Sequence, residues 1–302
     1  MTLMKTDRWA IGELVPQITE MDSVGLALRL TLLALLLRPI GNWMIRPLIL
    51  GLAALGVALP GLLRKPWLWF TLAVLTGLRV VLDWQLADNH GYLLCYWCLA
   101  IALALVSRDT CACLALNGRL LIGWAFAFAT LWKLALSPDY LDGRFFRVLL
   151  LTDLRFAEFA QLAGGLTLDS LESLREFVTQ HVDGQLFAVL NPPREPARFL
   201  WLARCMTWWT VILEGAIAIV FLWPAKQRLS TLRDALLLTF CATVYAVAPV
   251  EGFGWLLIAL GVAQCDPARR RPRFLYLAVF ALILFYREIP PVEWLAAFSH
   301  PS

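Results

Sequence analysis

Charge is scarce in this sequence. Only 16% of its 302 residues are charged, whereas soluble domains average about a quarter. Hydrophobic residues make up 60% and the mean hydropathy is +0.70, which excludes an ordinary water-soluble protein. The sequence also lacks a Walker-type loop, a dinucleotide fingerprint and a serine nucleophile elbow. With three histidines there is little from which to build a metal site, and we predict none. The net charge of +4 gives no reason to expect nucleic acid as a partner.

Long apolar runs instead predict an all-α, polytopic membrane protein in contact with the lipid bilayer. The runs are too long and unbroken for the alternating strands of a barrel. We expect about nine transmembrane spans, or eight if the two around Pro249 form one bent element. These are Val24–Leu37, Trp43–Leu63, Pro66–Leu82, Gly91–Val106, Leu120–Leu136, Phe199–Trp223, Ala235–Ala248, Gly252–Ala263 and Phe274–Phe285.

Basic residues predict the orientation of these spans. With nine spans, all four clusters fall in loops on one side, which the positive-inside rule makes cytoplasmic. The clusters begin at Arg64, Arg108, Lys226 and Arg269, and only Arg38 and Arg46 break the pattern. We therefore expect the N-terminus in the cytoplasm and the protein in the inner (plasma) membrane of a bacterium.

We expect one transmembrane domain over residues 1–302. Residues 1–22 read as an amphipathic lead-in on the cytoplasmic surface and not as a signal peptide, because charges interrupt them and no apolar core precedes a cleavage site. Residues 137–198 form a long extracytoplasmic connection, which is uncommon without structure of its own. Its stretch Leu168–Gln180 predicts a helix with Asp169 as the N-cap.

Lys133 is the first candidate for a functional residue. It is one of only four lysines and lies within the apolar run Leu120–Leu136. A lysine at the centre of a membrane helix costs roughly 2.5–3.5 kcal/mol on insertion scales, so it marks a functional site by default. A desolvated lysine also loses its proton readily and can act as a base. The alternative is a lysine that snorkels, reaching the headgroups with its flexible stem.

The predicted orientation gathers further polar residues near the outer end of the Lys133 span. Charges inside a bundle must find partners there, so we predict an outward-open polar pocket. Its other members are Arg79, Asp83, Asn89, His90, Tyr92, Trp132, Glu214 and Glu251. Each has a structural alternative: Arg79 can pair with Asp83, Asn89 can cap the helix from Gly91, His90 can be an interfacial histidine, and Glu214 can form a buried ion pair with Lys133.

Two short motifs follow one another around these residues. The first reads Asp88-Asn89-His90-Gly91-Tyr92-Leu93, and the second reads Ala129-Thr130-Leu131-Trp132-Lys133-Leu134 followed by Tyr140-Leu141-Asp142-Gly143. They resemble the Asn-His-x-Tyr-Leu and Ala-Gly-x-x-Lys-Leu…Trp-x-x-Gly motifs of the horizontally transferred transmembrane domain family, which includes the vitamin K-dependent γ-carboxylases. Their spacing, and a later glutamate at Glu214, are similar to that family as well.

The resemblance implies a role for several residues. Lys133 would be the base that deprotonates vitamin K hydroquinone or another quinol, and His90 would assist the oxygenation that follows. From their place in the predicted pocket, and not from the resemblance, we expect Asn89, Tyr92, Trp132 and Glu214 to bind the substrate, with Arg79, Asp83 and Glu251 supporting them. The quinol would enter between helices and bury its ring among Trp124, Phe126, Phe128 and Trp132.

This sequence also departs from the family. Thr130 replaces the motif glycine, Cys241 stands where a later histidine is common, and nothing corresponds to the large lumenal domain of the carboxylases. These departures favour a different activity on a related pocket over peptide γ-carboxylation. The enzyme class that the resemblance implies is a carboxylase-like, hydroquinone-oxidising (epoxidase-type) membrane enzyme.

Two other functions remain open. Cys95-Tyr96-Trp97-Cys98 is the C-x-x-C pattern of membrane thiol oxidoreductases that pass electrons to quinones, although residues 137–198 hold no second cysteine pair. The protein can also be a non-catalytic membrane partner or maturation factor whose buried charges only hold helices together. Pairing between Lys133 and Glu214 would favour this last interpretation.

Overall fold

The computed structural model describes residues 22–82, 84, 88–182, 194–224, 227–248, 250–266 and 269–289. Every regular element among them is helical and none is a strand, so the all-α prediction is confirmed. The predicted lead-in 1–22 lies outside the described residues except for Asp22, whose carboxylate pairs with Arg64 at 2.7 Å.

The α-helices are numbered in chain order. They are α1 (Ser23–Leu37), α2 (Arg46–Ala58), α3 (Pro60–Leu63), α4 (Pro66–Leu82), α5 (Asn89–Val106), α6 (Thr110–Leu131), α7 (Pro138–Leu141), α8 (Arg144–Thr152), α9 (Ala157–Leu162), α10 (Leu168–Val182), α11 (Ala197–Leu222), α12 (Gln227–Val244), α13 (Glu251–Gln264) and α14 (Arg270–Glu288). A π-helical turn, Trp132–Leu136, follows α6, and a 3₁₀ turn, Leu154–Phe156, precedes α9.

Three of the described helical segments are long and apolar enough to cross a membrane: Asn89–Val106, Thr110–Leu136 and Ala197–Leu222. The predicted count of about nine is therefore not supported. Four of the predicted spans form apolar helices of 10–17 residues, which at about 1.5 Å per residue fall short of a hydrocarbon core about 30 Å thick. The helices over the predicted spans Ala235–Ala248 and Phe274–Phe285 extend into charged sequence at their N-termini, through Arg233 and Asp234 in α12 and Arg270 in α14.

Proline explains where several helices begin. Pro60, Pro66 and Pro138 each occupy the first position of a helix, where the missing N–H is not needed. The predicted span Trp43–Leu63 is consequently broken: α2 ends at Ala58, and α3 restarts at Pro60 after an extended Leu59. The residue before a proline is pushed out of the helical region, and a hydropathy window does not register this effect.

The described residues form two compact units. The first takes in the chain up to Arg119 together with Trp255–Ala278. Within it α4 packs along α5, and the fully buried Trp97 of α5 donates its indole N–H to the Thr31 hydroxyl of α1 at 2.9 Å. An interhelical hydrogen bond of this kind fixes the two helices in register, because neither group has water as an alternative partner.

The second unit takes in Leu120–Gly254 and the chain from Val279. The connection 137–198 is helical in its described part, as predicted, and α8 packs against α10 and α11. One core cluster of this unit consists of Leu150, Leu151, Phe156, Ala160, Leu166, Leu171, Leu174 and Phe199. The Arg147 guanidinium holds the Glu195 carboxylate with two hydrogen bonds, of 2.7 and 2.9 Å.

The N-cap of α10 differs from the prediction. Asp169 lies inside the first turn, and the cap is Thr167, whose hydroxyl accepts from the Ser170 N–H at 3.2 Å. The Ser170 hydroxyl accepts in return from the Thr167 N–H at 2.8 Å. This reciprocal pair is the geometry of a capping box, with serine replacing the usual glutamate.

Candidate functional site

Lys133 lies in the π-helical turn at the end of the 27-residue apolar segment Thr110–Leu136. A π turn inserts extra backbone into a helix and often marks a functional position. The Lys133 side chain is only 13% exposed, so it does not snorkel into solvent.

Glu214 is the partner of Lys133. It lies in the middle of α11, its side chain is 9% exposed, and one of its carboxylate oxygens accepts a hydrogen bond from the Lys133 ammonium. The two residues are 81 positions apart in the chain. Because burial removes both charges from water, the pair is stable only while both partners are present.

Tyr140 and Thr210 complete this polar cluster. The Lys133 Nζ lies 5.1 Å from the centre of the Tyr140 ring, within the range of a cation–π contact. The Tyr140 hydroxyl shares a 2.7 Å hydrogen bond with the Thr210 hydroxyl, and Thr210 precedes Glu214 by one helical turn on α11. Burial, and to a lesser degree the Glu214 charge, raises the pKa of Tyr140 well above its ordinary value, so Tyr140 keeps its proton.

Two buried hydroxyls in the same unit as the pair have no hydrogen-bond partner among the described residues: Thr130 Oγ1 and Tyr245 Oη. Thr130 lies one turn before Lys133, and its methyl carbon would be 3.5 Å from a side chain added at Gly215, the neighbour of Glu214. Tyr245 is 3% exposed and lies within electrostatic range of Glu214. Buried polar groups are nearly always paired, and those that are not usually indicate a ligand, a water or a catalytic role.

Sequence reasoning missed Tyr140, Thr210 and Tyr245 as site residues. Thr210 could have been found from its i, i+4 relation to Glu214, since both then lie on one face of α11. Tyr140 stands inside the second motif, but only the turn through Leu136 and Pro138 brings its ring to Lys133. No local pattern identifies Tyr245.

His90 belongs to a separate cluster, in the other unit. Its Nδ1 lies 3.6 Å from Asp88 Oδ2, and Asp88 Oδ1 accepts from the Gly91 N–H at 2.8 Å. Asp88 is therefore the N-cap, and the helix begins at Asn89, which corrects the alternative that Asn89 caps a helix starting at Gly91. The Arg79 guanidinium reaches the same place, since a side chain added at Gly91 would meet its Nη1 at 2.9 Å.

We expect Asp88→Ala to cost about 1 kcal/mol of unfolding free energy at neutral pH, as for other N-caps. The neighbouring His90 imidazole, then the Gly91 N–H and the charge of Arg79, lower the pKa of Asp88 from 3.8 to about 2. A lowered pKa stabilises the folded state above the unfolded value, and this stabilisation disappears as pH falls from about 4 to about 2. Thermal unfolding of both proteins against pH measures this difference. Asp88→Asn retains a cap oxygen and serves as the control. If the difference in unfolding free energy between Asp88→Ala and the unmodified protein does not shrink at low pH, the assignment of Asp88 as a stabilising cap is wrong.

Three predicted site residues remain. Asp83 lies outside the described residues. Glu251 is the first residue of α13, and its carboxylate interacts electrostatically with the Arg155 guanidinium. Tyr92 lies on α5 and is 40% exposed.

The predicted aromatic ring pocket is divided between two faces of one helical segment. Trp124, Phe128 and Trp132 are each at least half exposed. Phe126 is instead buried and packs edge-on against Phe240, with the two ring centres 4.8 Å apart. The three exposed rings form an outward apolar face, and Phe126 belongs to the core.

None of the seven cysteines forms a disulfide. Cys98 is fully buried and Cys95 donates to the Ala73 carbonyl at 3.4 Å. Within the described ranges no group of three or more histidines, cysteines or acids could hold a metal ion.

Neither models of known protein families nor searches of curated proteins and solved structures give a match to this chain.

Proposed function

We propose that this protein is an integral membrane protein that binds a lipid-soluble hydroquinone at the Lys133–Glu214 pair and takes a proton from it. One observation carries the proposal: the compact unit that holds the buried pair also holds two buried hydroxyls, those of Thr130 and Tyr245, that have no partner among the described residues. A hydroquinone offers two hydroxyl groups that could satisfy them. The motifs around His90 and Lys133 resemble those of quinol-using enzymes, which supports this substrate class.

The pair divides the work between its members. An ammonium bound to a carboxylate has no free lone pair, so the group that accepts the phenolic proton is Glu214. The O–H bond of the quinol breaks, the proton moves to the carboxylate, and the phenolate stays beside the Lys133 ammonium, which stabilises it electrostatically. This differs from the prediction of Lys133 as a neutral base. The proposed step transfers one proton and oxidises no group.

The proposed membrane domain includes the three apolar segments that are long enough to span a bilayer. We place the four shorter apolar helices, and the apolar parts of α12 and α14, in the bilayer as well, where tilting or local thinning accommodates short helices. The basic loops are placed in the cytoplasm of a bacterium and the connection 137–198 outside, by the positive-inside rule. The quinol reaches the pair from the bilayer, past the exposed face of Trp124, Phe128 and Trp132.

The test uses the two unpartnered hydroxyls. The full-length protein in nanodiscs is titrated with a hydroquinone carrying an isoprenoid tail, and binding is followed by quenching of tryptophan fluorescence. Tyr245→Phe and Thr130→Val remove no hydrogen bond to any described residue, so both should fold as well as the unmodified chain and bind about five- to tenfold more weakly. Tyr96→Phe, at an exposed tyrosine on α5, is the matched control and should change nothing.

A second candidate function is a membrane partner in which the pair only joins α11 to the end of α6. It is favoured by the closure of the pair on itself and on the Tyr140 ring. In that case no quinol binds, and Tyr245→Phe and Thr130→Val leave every measured property unchanged or slightly raise stability. This result would overturn the quinol proposal.

A further inference from the structure

Four arginines stand at the start of α14, and the structure uses them differently. Arg273 is 5% exposed and donates to the Arg269 carbonyl at 3.4 Å. The Arg269 guanidinium lies 3.9 Å from the Asp266 carboxylate. Arg270 and Arg271 are exposed and have no ion-pair or hydrogen-bond partner among the described residues. Two cationic groups are thus left to an external ligand.

An open groove of about 370 Å³ lies between these two arginines and two apolar residues. Its lining is Arg270, Arg271, Phe274 and Leu275, and Phe274 and Leu275 are about half exposed. Each apolar residue follows an arginine by four positions, so cationic groups lie above apolar ones on the same side of the helix, about one turn apart.

We infer that this groove binds an anionic phospholipid, with the phosphate between Arg270 and Arg271 and the upper acyl chain against Phe274 and Leu275. Clusters of arginine next to apolar helices attract acidic headgroups. A phospholipid fills both halves of the groove, whereas free phosphate would leave the apolar half exposed to water. The inference depends on the membrane placement and not on the quinol proposal, because all four groove residues lie in the first compact unit, whereas Lys133 and Glu214 lie in the second.

Native mass spectrometry of the full-length protein tests this inference. The detergent-purified chain is titrated with phosphatidylglycerol and, separately, with phosphatidylcholine of the same acyl chains. We expect the anionic lipid to bind more tightly. Arg270→Gln/Arg271→Gln should weaken its binding about thirtyfold, since each of the two arginines contributes about 1 kcal/mol near a lipid surface and a factor of ten corresponds to about 1.4 kcal/mol. Phe274→Ala/Leu275→Ala should weaken the binding of both lipids.

The matched control is Arg108→Gln. Arg108 is exposed in the turn between α5 and α6 and has no partner among the described residues, so it tests for a non-specific effect of charge. Three results would overturn the inference: an unchanged affinity in the double arginine variant, an equal loss in Arg108→Gln, or full displacement of the lipid by millimolar glycerol phosphate. The last would indicate a soluble phosphate ligand. Thermal unfolding confirms that these surface variants fold.

Discussion

Lys133→Met is expected to lower the free energy of unfolding by about 3–5 kcal/mol, the usual effect of removing one partner from a buried ion pair. Glu214 would remain at 9% side-chain exposure without its cation, and no described cation replaces Lys133 in contact with it. Glu214→Leu should be destabilising for the corresponding reason, with a smaller effect because the Tyr140 ring still faces the ammonium at 5.1 Å.

The double variant separates the ion pair from the packing around it. Lys133→Met/Glu214→Leu leaves no unpaired charge, and apolar replacement of a buried pair is often neutral or stabilising. We therefore expect it to unfold within about 1 kcal/mol of the unmodified protein. The coupling energy from the double-mutant cycle should then be about 3 kcal/mol or more, at the upper end of the range for residues in contact.

Unfolding in mixed detergent micelles, followed by the emission of the 14 tryptophans, measures these energies. Lys65→Met is the control: this lysine is exposed between α3 and α4, and its replacement should change stability by less than about 0.5 kcal/mol. If Lys133→Met is as mild as Lys65→Met, the ion pair is absent in the folded protein. The quinol proposal and the structural alternative would both then fail.

Local signals in the sequence predicted much of the helical structure. The apolar run Pro66–Leu82 becomes α4 with the same limits, because a proline starts it and hydropathy continues to its end. The predicted helix from Gly91 starts two residues earlier, since Asp88 and not Asn89 supplies the cap. Signals that depend on one or two residues, such as the break before Pro60, lie below the resolution of a hydropathy window.

The site could be predicted only in part. A charge inside an apolar run is conspicuous, so the sequence identifies both Lys133 and Glu214 and offers their pairing as one alternative. Which neighbours surround them depends on how α11 meets the end of α6 across 81 positions. Tyr140 reaches Thr210 over 70 positions, and nothing in the local sequence of either residue encodes that contact.

Trp97→Ala is expected to destabilise the first unit by about 3–5 kcal/mol, the range for removing a buried aromatic side chain and leaving a cavity. Trp97 is 0% exposed, and its indole N–H donates to Thr31. Thr31→Val keeps the volume and removes only the hydroxyl, which accepts from Trp97 and donates to the Ala27 carbonyl at 2.8 Å, so it should cost about 1 kcal/mol. Trp67→Ala, at a half-exposed tryptophan on α4, is the control for loss of an indole at the protein surface.

The same detergent unfolding assay ranks the three variants. Packing is the larger contribution at Trp97, because a void in a close-packed interior forfeits contacts on every side, whereas an interhelical hydrogen bond within a membrane averages about 0.6 kcal/mol. The expected order of destabilisation is thus Trp97→Ala, then Thr31→Val, then Trp67→Ala. Equal effects of Trp97→Ala and Trp67→Ala would mean that α5 does not pack on α1 through this residue. If Thr31→Val matched Trp97→Ala, the hydrogen bond, and not the packing, would hold the two helices together.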